Sequence, residues 1–285
     1  MARTFPPESP PESPPESPPG VLNARAARER FQVTRTAPPP GLAPYVDFFW
    51  VLVWDLRGRE PHRQKVLTRP SVHMTFTSYW TAGATRARIV GVVRDEFVEE
   101  ISGDGRVVGV GFLPGGFRPF LGAPVAGITG RMPAVDDVFG PAGRALGTEI
   151  AGLRDAGAAL ARLESFLLER CPDAPDPRAE RAARAVAHIA ARPALVRVGD
   201  LAADLGIGPR SLQRLFQEYV GIGPKWVIRR YRMLEAAERA AAGTGVDWAE
   251  LAAELGYADQ AHFTRDFTAA VGTSPARYAR AQGGA

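Results

Sequence analysis

Two short segments of the chain carry arginine, glutamine, hydroxyl and imidazole side chains at the spacing of one helix face. The first set is Arg210, Ser211, Gln213 and Arg214, and the second is Gln260, Ala261, His262, Thr264 and Arg265. Arginine can donate two hydrogen bonds to guanine, glutamine can pair with adenine, and serine or threonine can contact phosphates or bases. The same residue types are common on solvated helix faces, so the first set alone leaves DNA contact and plain solvation open.

Each set follows a short helix pattern that ends at a glycine. In the first, Val198–Leu205 is followed by Gly206, and Pro209 then begins a new helix. A glycine with positive φ allows the chain to reverse between helices. Proline suits the first helical position, where its missing N–H costs nothing. Two helices joined in this way form a helix-turn-helix unit, which we predict at about 198–220.

The second set repeats this arrangement 50 to 51 residues later. LAADLG at 201–206 aligns with LAAELG at 251–256. Asp247 and Asp259 precede the two helices of the second copy, and aspartate is a preferred residue for capping a helix N-terminus. We therefore predict a second helix-turn-helix unit at about 248–271, and the repeat strengthens the interpretation as a DNA-reading chain.

A helix is predicted over Pro224–Ala242, between the two units. About 20 residues at about 1.5 Å each span roughly 30 Å. Major-groove openings on one face of a duplex lie roughly 34–36 Å apart, so one rigid helix can place two units in adjacent grooves. Arg229, Arg230 and Arg232 lie along this helix, and for each we expect either a phosphate contact or a solvated position.

The charge distribution agrees with a polyanionic partner. The chain has 35 Lys and Arg and 31 Asp and Glu, of which 15 and 11 lie from residue 178 onward. The preceding residues are therefore balanced at 20 and 20, and the whole excess of +4 belongs to the part with the two units. Such an excess favours nucleic acid, although a solvated surface also produces it.

Several classes of protein are disfavoured by the composition. One cysteine, Cys171, allows neither an internal disulfide nor a cysteine zinc site. Because there is no apolar run of membrane-spanning length and no signal segment, we expect a cytoplasmic protein with no membrane partner. His62 and His73 are eleven residues apart without an H-x-H pair, so we expect no metal, no other cofactor and no catalytic residue.

The first half of the chain has the sequence pattern of a β-rich domain. After three PPES repeats, which predict a disordered tail over 1–20, strand patterns occur at roughly ten-residue spacing. The predicted strands are Phe48–Leu52, Val72–Phe76, Ile89–Val93 and Val107–Phe112. We expect the aromatic residues Phe48, Phe49, Trp50, Trp54 and Trp80 in the core and not around a pocket.

The domain organisation follows from these changes in composition and sequence pattern along the chain. A helix over Ala158–Arg170 closes a β-rich domain assigned to 21–171, and the prolines at 175 and 177 mark a linker at 172–177. The remainder, 178–285, is predicted to be helical. The fold class is therefore α+β with two domains, a barrel-like or sandwich-like domain followed by an all-α double helix-turn-helix domain.

The helical half resembles the DNA-binding domain of the AraC/XylS family of bacterial transcription regulators. The resemblance rests on LAADLGI from 201, LQRLF from 212, RMLEAA from 232, LAAELGY from 251, HFTRDF from 262 and GTSPARY from 272. It implies two motifs in consecutive major grooves, with base or phosphate contacts from both sets of side chains. Gly208, Arg197 and Ala261 depart from the residues common in the family, which concerns individual contacts and not the class.

The N-terminal half resembles, more loosely, a little-characterised type of β-rich domain that precedes this module, through GFLPGGF at 111–117. In the family such domains commonly bind a small effector or dimerise. The resemblance thus implies double-stranded DNA as a partner, with a small effector, a homodimer and, for an activator, RNA polymerase as further partners. Two alternatives stay open: a metal-dependent barrel enzyme fused to a DNA-binding module, and a protein-interaction module.

Overall fold

The computed structural model describes residues 27–242 and 246–283. The N-terminal half contains seven strands: β1 Phe31–Thr36, β2 Val46–Leu56, β3 His62–Val66, β4 His73–Tyr79, β5 Ala84–Val90, β6 Phe97–Ile101 and β7 Gly103–Phe112. Five of them form an antiparallel sheet in the order β1-β2-β7-β4-β5, and β3 pairs with β6 in a separate two-stranded sheet. The two sheets share no strand pairing in the described residues, so the domain is an open, sandwich-like structure and not a closed barrel.

The large sheet is covered on both faces, which explains the continuous apolar sequence of β2. Phe49 and Val51 point into a core that also contains residues of the following helices. Phe48, Trp50 and Leu52 point to the opposite face, where they line a cavity between the two sheets. A strand buried on both faces needs apolar residues at successive positions and loses the usual alternation. The expectation that all the aromatics of this segment lie in the core is therefore wrong for Phe48 and Trp50, and Trp80 is exposed.

Ten helices follow in the described part of the chain. They are α1 Arg118–Leu121, α2 Val135–Gly152, α3 Ala156–Leu168, α4 Pro177–Ala190, α5 Val198–Asp204, α6 Pro209–Leu215, α7 Pro224–Ala242, α8 Trp248–Glu254, α9 Gln260–Val271 and α10 Pro275–Gly283. A 3-10 turn, Val125–Ile128, precedes α2, and a π-helical turn, Phe216–Val220, continues α6. Within the described ranges no helix combines the length and the apolar character needed to cross a bilayer.

The hydrophobic core does not stop at the predicted linker. One cluster of buried side chains runs from the large sheet through α4, α5 and α6 to the start of α7. A second cluster joins the rest of α7 to α8, α9 and α10. Asp176, inside the segment 172–177, accepts hydrogen bonds from the backbone N–H groups of Arg178 and Ala179 and so caps α4. The tail 1–20 lies outside the described residues, and the division of the chain at 172–177 stays a prediction.

Candidate nucleic-acid interface

The first unit consists of α5 and α6, joined by a tight turn. Gly206 adopts φ +64°, and the backbone N–H of Ile207 donates to the carbonyl of Ala202 at 3.0 Å. Leu201, Leu212 and Phe216 are buried and fix the two helices against each other. The opposite face of α6 is exposed to solvent and carries all four side chains of the first predicted set, Arg210, Ser211, Gln213 and Arg214.

The second unit repeats this geometry in α8 and α9. Gly256 has φ +72°, and the N–H of Tyr257 donates to the carbonyl of Ala252 at 2.8 Å. The predicted caps are confirmed, because Asp247 accepts from Ala249 and Glu250 and Asp259 accepts from His262. In the second predicted set, Gln260, Ala261, His262 and Arg265 are exposed and Thr264 is half-buried. The His262 and Tyr257 rings pack in a T-shaped arrangement, with ring centroids 5.2 Å apart.

The exposed arginines of both units are available for a partner. Among the ion pairs of residues 27–242 and 246–283, none includes Arg210, Arg214 or Arg265. Each guanidinium therefore keeps its five donors free for base edges or phosphate oxygens. The structure thus presents two repeated helices, each with an unpaired arginine on its outer face.

Comparison with known proteins agrees with this geometry. Residues 201–281 match the family model of a helix-turn-helix domain. The C-terminal region is an AraC-type helix-turn-helix domain. Residues 34–133 match a domain of unknown function, DUF6597. A search of curated proteins finds no match to this chain.

Three solved structures of similar proteins cover different shares of this chain. The C-terminal domain of AraT, a response regulator from Geobacillus stearothermophilus, is 29% identical and covers 34% of this chain and 81% of its own, with a TM-score of 0.32. An AraC-type transcriptional regulator from Chromobacterium violaceum is 21% identical over 35% of this chain and 91% of its own, also with a TM-score of 0.32. ToxT from Vibrio cholerae is 12% identical over 90% of this chain and 100% of its own, with a TM-score of 0.39.

Two of the arginines predicted to lie along the connecting helix of the AraC-type domain are buried. Arg230 is 6% exposed, donates to the carbonyl of Arg94 at 2.7 Å and lies over the Trp226 ring at 4.5 Å. Burial lowers its pKa to about 10. Arg232 is also 6% exposed and lies over the Tyr257 ring at 3.8 Å. In this arrangement neither guanidinium can reach a phosphate, so that expectation is wrong for both residues.

Arg229 is the member of this group that remains on the surface. Its side chain is exposed and pairs with Asp266 of α9 at 3.1 Å. The sequence did contain a signal for the difference, because Trp226 lies four residues before Arg230 and therefore on the same face of α7. An aromatic residue at that spacing favours stacking over solvation.

The N-terminal half contacts the first unit of the AraC-type domain directly, which sequence reasoning missed. Arg118 donates to Glu218 at 2.7 Å, and the Thr129 hydroxyl donates to the carbonyl of Gly221 at 2.7 Å. The Tyr219 hydroxyl donates to Asp176 of the segment 172–177 at 2.8 Å. These bonds surround the π-helical turn at the end of α6, so the N-terminal half holds the end of this helix that lies away from Arg210.

A smaller contact reaches the second unit. Leu67, in the segment between β3 and β4, is buried in the cluster formed by α7, α8, α9 and α10. Lys65 pairs with Glu96, and both side chains lie beside Gly272 at the end of α9. The two-stranded β3–β6 sheet therefore has the cavity on one side and the second unit on the other.

Proposed function

We propose that this chain is a transcription regulator that reads DNA with α6 and α9, each placed in a major groove of the same duplex. The observation that carries the proposal is the repeated geometry of the two units together with their exposed, unpaired arginines. Arg214 and Arg265 occupy equivalent positions at an offset of 51 residues. A face that only contacts solvent does not require arginine at the same place in both copies.

The connecting helix supports two simultaneous contacts. Helix α7 has 19 residues, which corresponds to about 28 Å at about 1.5 Å per residue. Successive major-groove openings lie roughly 34–36 Å apart, and α6 precedes α7 in the chain while α9 follows it. We assign base contacts to Arg210, Gln213, Arg214, Gln260 and Arg265, and base or phosphate contacts to Ser211, His262 and Thr264. Ala261 offers only its methyl group, and Arg229 remains a candidate for a phosphate contact.

The N-terminal half would then supply regulation, through a small effector or through a homodimer, and an activator would also contact RNA polymerase. The two N-terminal histidines have surroundings that do not suggest a catalytic role. His62 contacts Gln64 and packs against Phe31, while His73 contacts Ser71 and packs against Phe48. Each ring thus packs against an aromatic side chain and contacts an uncharged polar one, so we do not propose an enzyme.

The experiment that tests this function is selection of bound duplexes from a random pool with the full-length protein at a stated salt concentration. We expect two conserved blocks about one helical turn apart. Replacing Arg214 or Arg265 by Ala should weaken the selected site by about 1–3 kcal/mol and relax base preference at one block only. The matched control is Arg181→Ala, an exposed arginine of α4 outside both units, which should change neither affinity nor preference.

Three outcomes would contradict the proposal in whole or in part. Absence of any enriched sequence would remove sequence-specific reading and favour a protein-interaction module. Equal losses on selected and random duplexes for Arg214→Ala and Arg265→Ala would show that these residues contact only the phosphate backbone. One conserved block in place of two would mean that only one unit reads sequence.

A further inference from the structure

A cavity of about 240 Å³ lies between the large sheet and the β3–β6 sheet. We call it the sheet cavity. Most of its wall is aromatic or aliphatic, and the aromatic members are Phe31, Phe48, Trp50, Tyr79, Phe97 and Phe112. An apolar cavity of roughly 150 Å³ accepts one benzene ring. The sheet cavity is therefore large enough for an aromatic body with short substituents.

Polar atoms without partners are concentrated in this wall. In the described part of the chain, eight buried side-chain nitrogen or oxygen atoms have no hydrogen-bond partner, and four of them belong to residues of the sheet cavity. These are Trp50 Nε1, Thr68 Oγ1, Thr75 Oγ1 and Arg88 Nε. All four can donate a hydrogen bond, and buried donors are normally paired. A molecule that satisfies them must accept hydrogen bonds.

The charges around the sheet cavity favour an anion. Glu99 is paired with both Arg86 and Arg88, so its charge is neutralised within the wall. Arg35 and Arg69 also line the cavity, and neither belongs to an ion pair among residues 27–242 and 246–283. Asp47 is the one carboxylate of the wall left to oppose them, so this end of the cavity carries a net charge of about +1 from these three groups.

Two further observations locate this positive end. Arg35 lies over the Phe48 ring at 4.2 Å, and its pKa is lowered by burial and by the nearby Arg69. The His73 ring lies edge-on to Phe48 and Trp50. Burial, and then Arg35, lower its pKa to about 4, so the imidazole is neutral near pH 7 and adds no charge. The Arg35 guanidinium, stacked on Phe48, is therefore a cation at this end of the wall.

We propose that the sheet cavity binds a small aromatic carboxylate, with its ring against Phe48 and Trp50 and its carboxylate on Arg35 and Arg69. Such a molecule matches the wall in shape, in hydrogen bonding and in charge. An aliphatic amine would meet like charge at the arginines, and a sugar would leave its hydroxyl groups against the aromatic wall.

The position of the positive end also indicates how a bound ligand could affect the DNA-binding units. This step rests on the proposed function. Tyr231 of α7 is close enough to Arg69 and Asp47 for both charges to influence its pKa. Val66 and Thr68 line the cavity and flank Leu67, which is buried in the core of the second unit. A carboxylate at Arg69 therefore binds next to the segment that joins the cavity to the second helix-turn-helix unit.

Calorimetric titration of the full-length protein tests the binding. The probes are phenylacetate and 1-naphthoate, each compared with its uncharged amide. We expect the carboxylates to bind with a Kd below about 1 mM, and Arg35→Gln or Arg69→Gln to weaken them about tenfold or more. Arg63→Gln is the matched control, because Arg63 is an exposed arginine of β3 outside the cavity wall, and it should leave the Kd unchanged.

Thr75→Val provides a second variant that keeps the shape of the side chain. The Thr75 hydroxyl is buried and without a partner and lies on β4, three strands from Arg35, so its removal should leave the unligated protein folded and the Kd of the carboxylates unchanged. The proposal is overturned if the amides bind as tightly as the carboxylates. It is equally overturned if neither carboxylate binds at millimolar concentration, or if Arg63→Gln weakens binding as much as Arg35→Gln does.

The ligand and the DNA are measured separately, so that the two proposals fail in different ways. Enrichment of DNA blocks without binding of either carboxylate removes the ligand proposal and leaves the regulator. Binding of a carboxylate without DNA enrichment removes the regulator and leaves the site. If both bind, the carboxylate should change the affinity for the selected duplex at least threefold in the wild type and not in Arg35→Gln, and an unchanged affinity would refute its role as an effector.

Discussion

The two helix-turn-helix units share the backbone of their turns but differ in what surrounds them. In both, a positive-φ glycine follows the first helix, and the next residue bonds back to an equivalent alanine, Ala202 or Ala252. The first unit, however, belongs to the same hydrophobic cluster as the large sheet. The second unit has its own cluster, to which the N-terminal half contributes Leu67.

The difference has a simple origin in the repeat itself. Glu218 holds the first unit to the N-terminal half through Arg118, and Tyr219 bonds to Asp176 of the segment 172–177. At the offset of 51 residues, the second copy has Ala269 and Ala270 at these positions. The repeated residues therefore encode the local fold of a unit, and two residues that are not repeated decide which unit is anchored. The first unit is therefore fixed to the N-terminal half, and the second is attached mainly through α7.

The largest expected effect comes from removing a matched phenylalanine from each core. Phe216 and Phe267 occupy equivalent positions and are both fully buried. Each change to Ala should destabilise its surroundings by about 3–5 kcal/mol. Hydrogen exchange should rise across both the large sheet and the first unit in Phe216→Ala, but only over 224–283 in Phe267→Ala. Faster exchange in the large sheet of Phe267→Ala would contradict the separate second core.

Substitution of the glycines that end the second helix of each unit should cause a smaller loss of stability, and the loss should differ between the two units. Gly221 has φ +90° and Gly272 has φ +82°, so an alanine at either position adopts a left-handed conformation at a cost of about 1–2 kcal/mol. A Cβ at Gly221 would also lie 2.6 Å from Thr129 Oγ1 and 2.8 Å from Val125 Cγ1. A Cβ at Gly272 would meet the flexible end of Lys65 at 3.2 Å, which can move away.

Gly221→Ala should therefore cost about 2–4 kcal/mol, the strain plus the clash, and Gly272→Ala only the strain of about 1–2 kcal/mol. Urea unfolding of the two variants and the wild type measures both values. Equal losses would mean that the contact between Thr129 and Gly221 does not constrain the first unit.

The sequence predicted the local structure of the units better than their placement. Gly206, Gly256, Asp247 and Asp259 act through bonds to residues within a few positions, so their roles can be read from spacing alone. The two arginine-bearing faces follow from the same helical period and are exposed as predicted, while their contact with DNA stays a prediction. The burial of Arg230 follows from spacing only in part, because Trp226 lies one turn away on the same face but the carbonyl of Arg94, which accepts its hydrogen bond, lies 136 residues away.

Prediction of the N-terminal half from its sequence is limited in the same way. Apolar runs predict β2 and β7, and the alternation over Val72–Phe76 predicts β4, whereas β1, β3 and β6 are missed. The predicted strand Ile89–Val93 overlaps β5 only at its last two residues. Strand β3 reads HRQKV, and its polar residues gave no strand signal, although one of its faces lines the sheet cavity. A continuous apolar run such as Phe48–Leu52 predicts a strand but not which residues face a core and which face a cavity, since both faces are covered.

A third prediction concerns the ion pair that anchors the first unit. Arg118 and Glu218 are 24% and 27% exposed, so water weakens their attraction only in part. We expect Glu218→Gln to lower the free energy of unfolding by about 0.5–1 kcal/mol. A double-mutant cycle with Arg118→Gln should assign that loss to the ion pair. The reciprocal change in the second unit, Ala269→Glu, should be nearly neutral. A zero coupling energy would leave the anchoring to Tyr219 and to the apolar contacts.

The smallest expected effect is at the start of the two DNA-facing helices, where the units also differ. Asp259 caps α9, but Gly208 precedes α6 in an extended conformation and has no side chain to accept from the first N–H groups. A Cβ at Gly208 would meet nothing within 4 Å, so a serine fits there and can accept from Arg210 or Ser211. Gly208→Ser should stabilise α6 by a few tenths of a kcal/mol, and Gly208→Ala should not.

Because the far end of α6 is already held by the N-terminal half, fraying at Pro209–Leu212 is the main freedom left to this helix. Slower hydrogen exchange at these amides in Gly208→Ser, with no change in α9, is the result that we expect. If exchange does not change, α6 is already fixed along its whole length by the N-terminal half. The anchored unit would then need no cap, and the cap at Asp259 would be required in the second unit because that unit lacks the anchor.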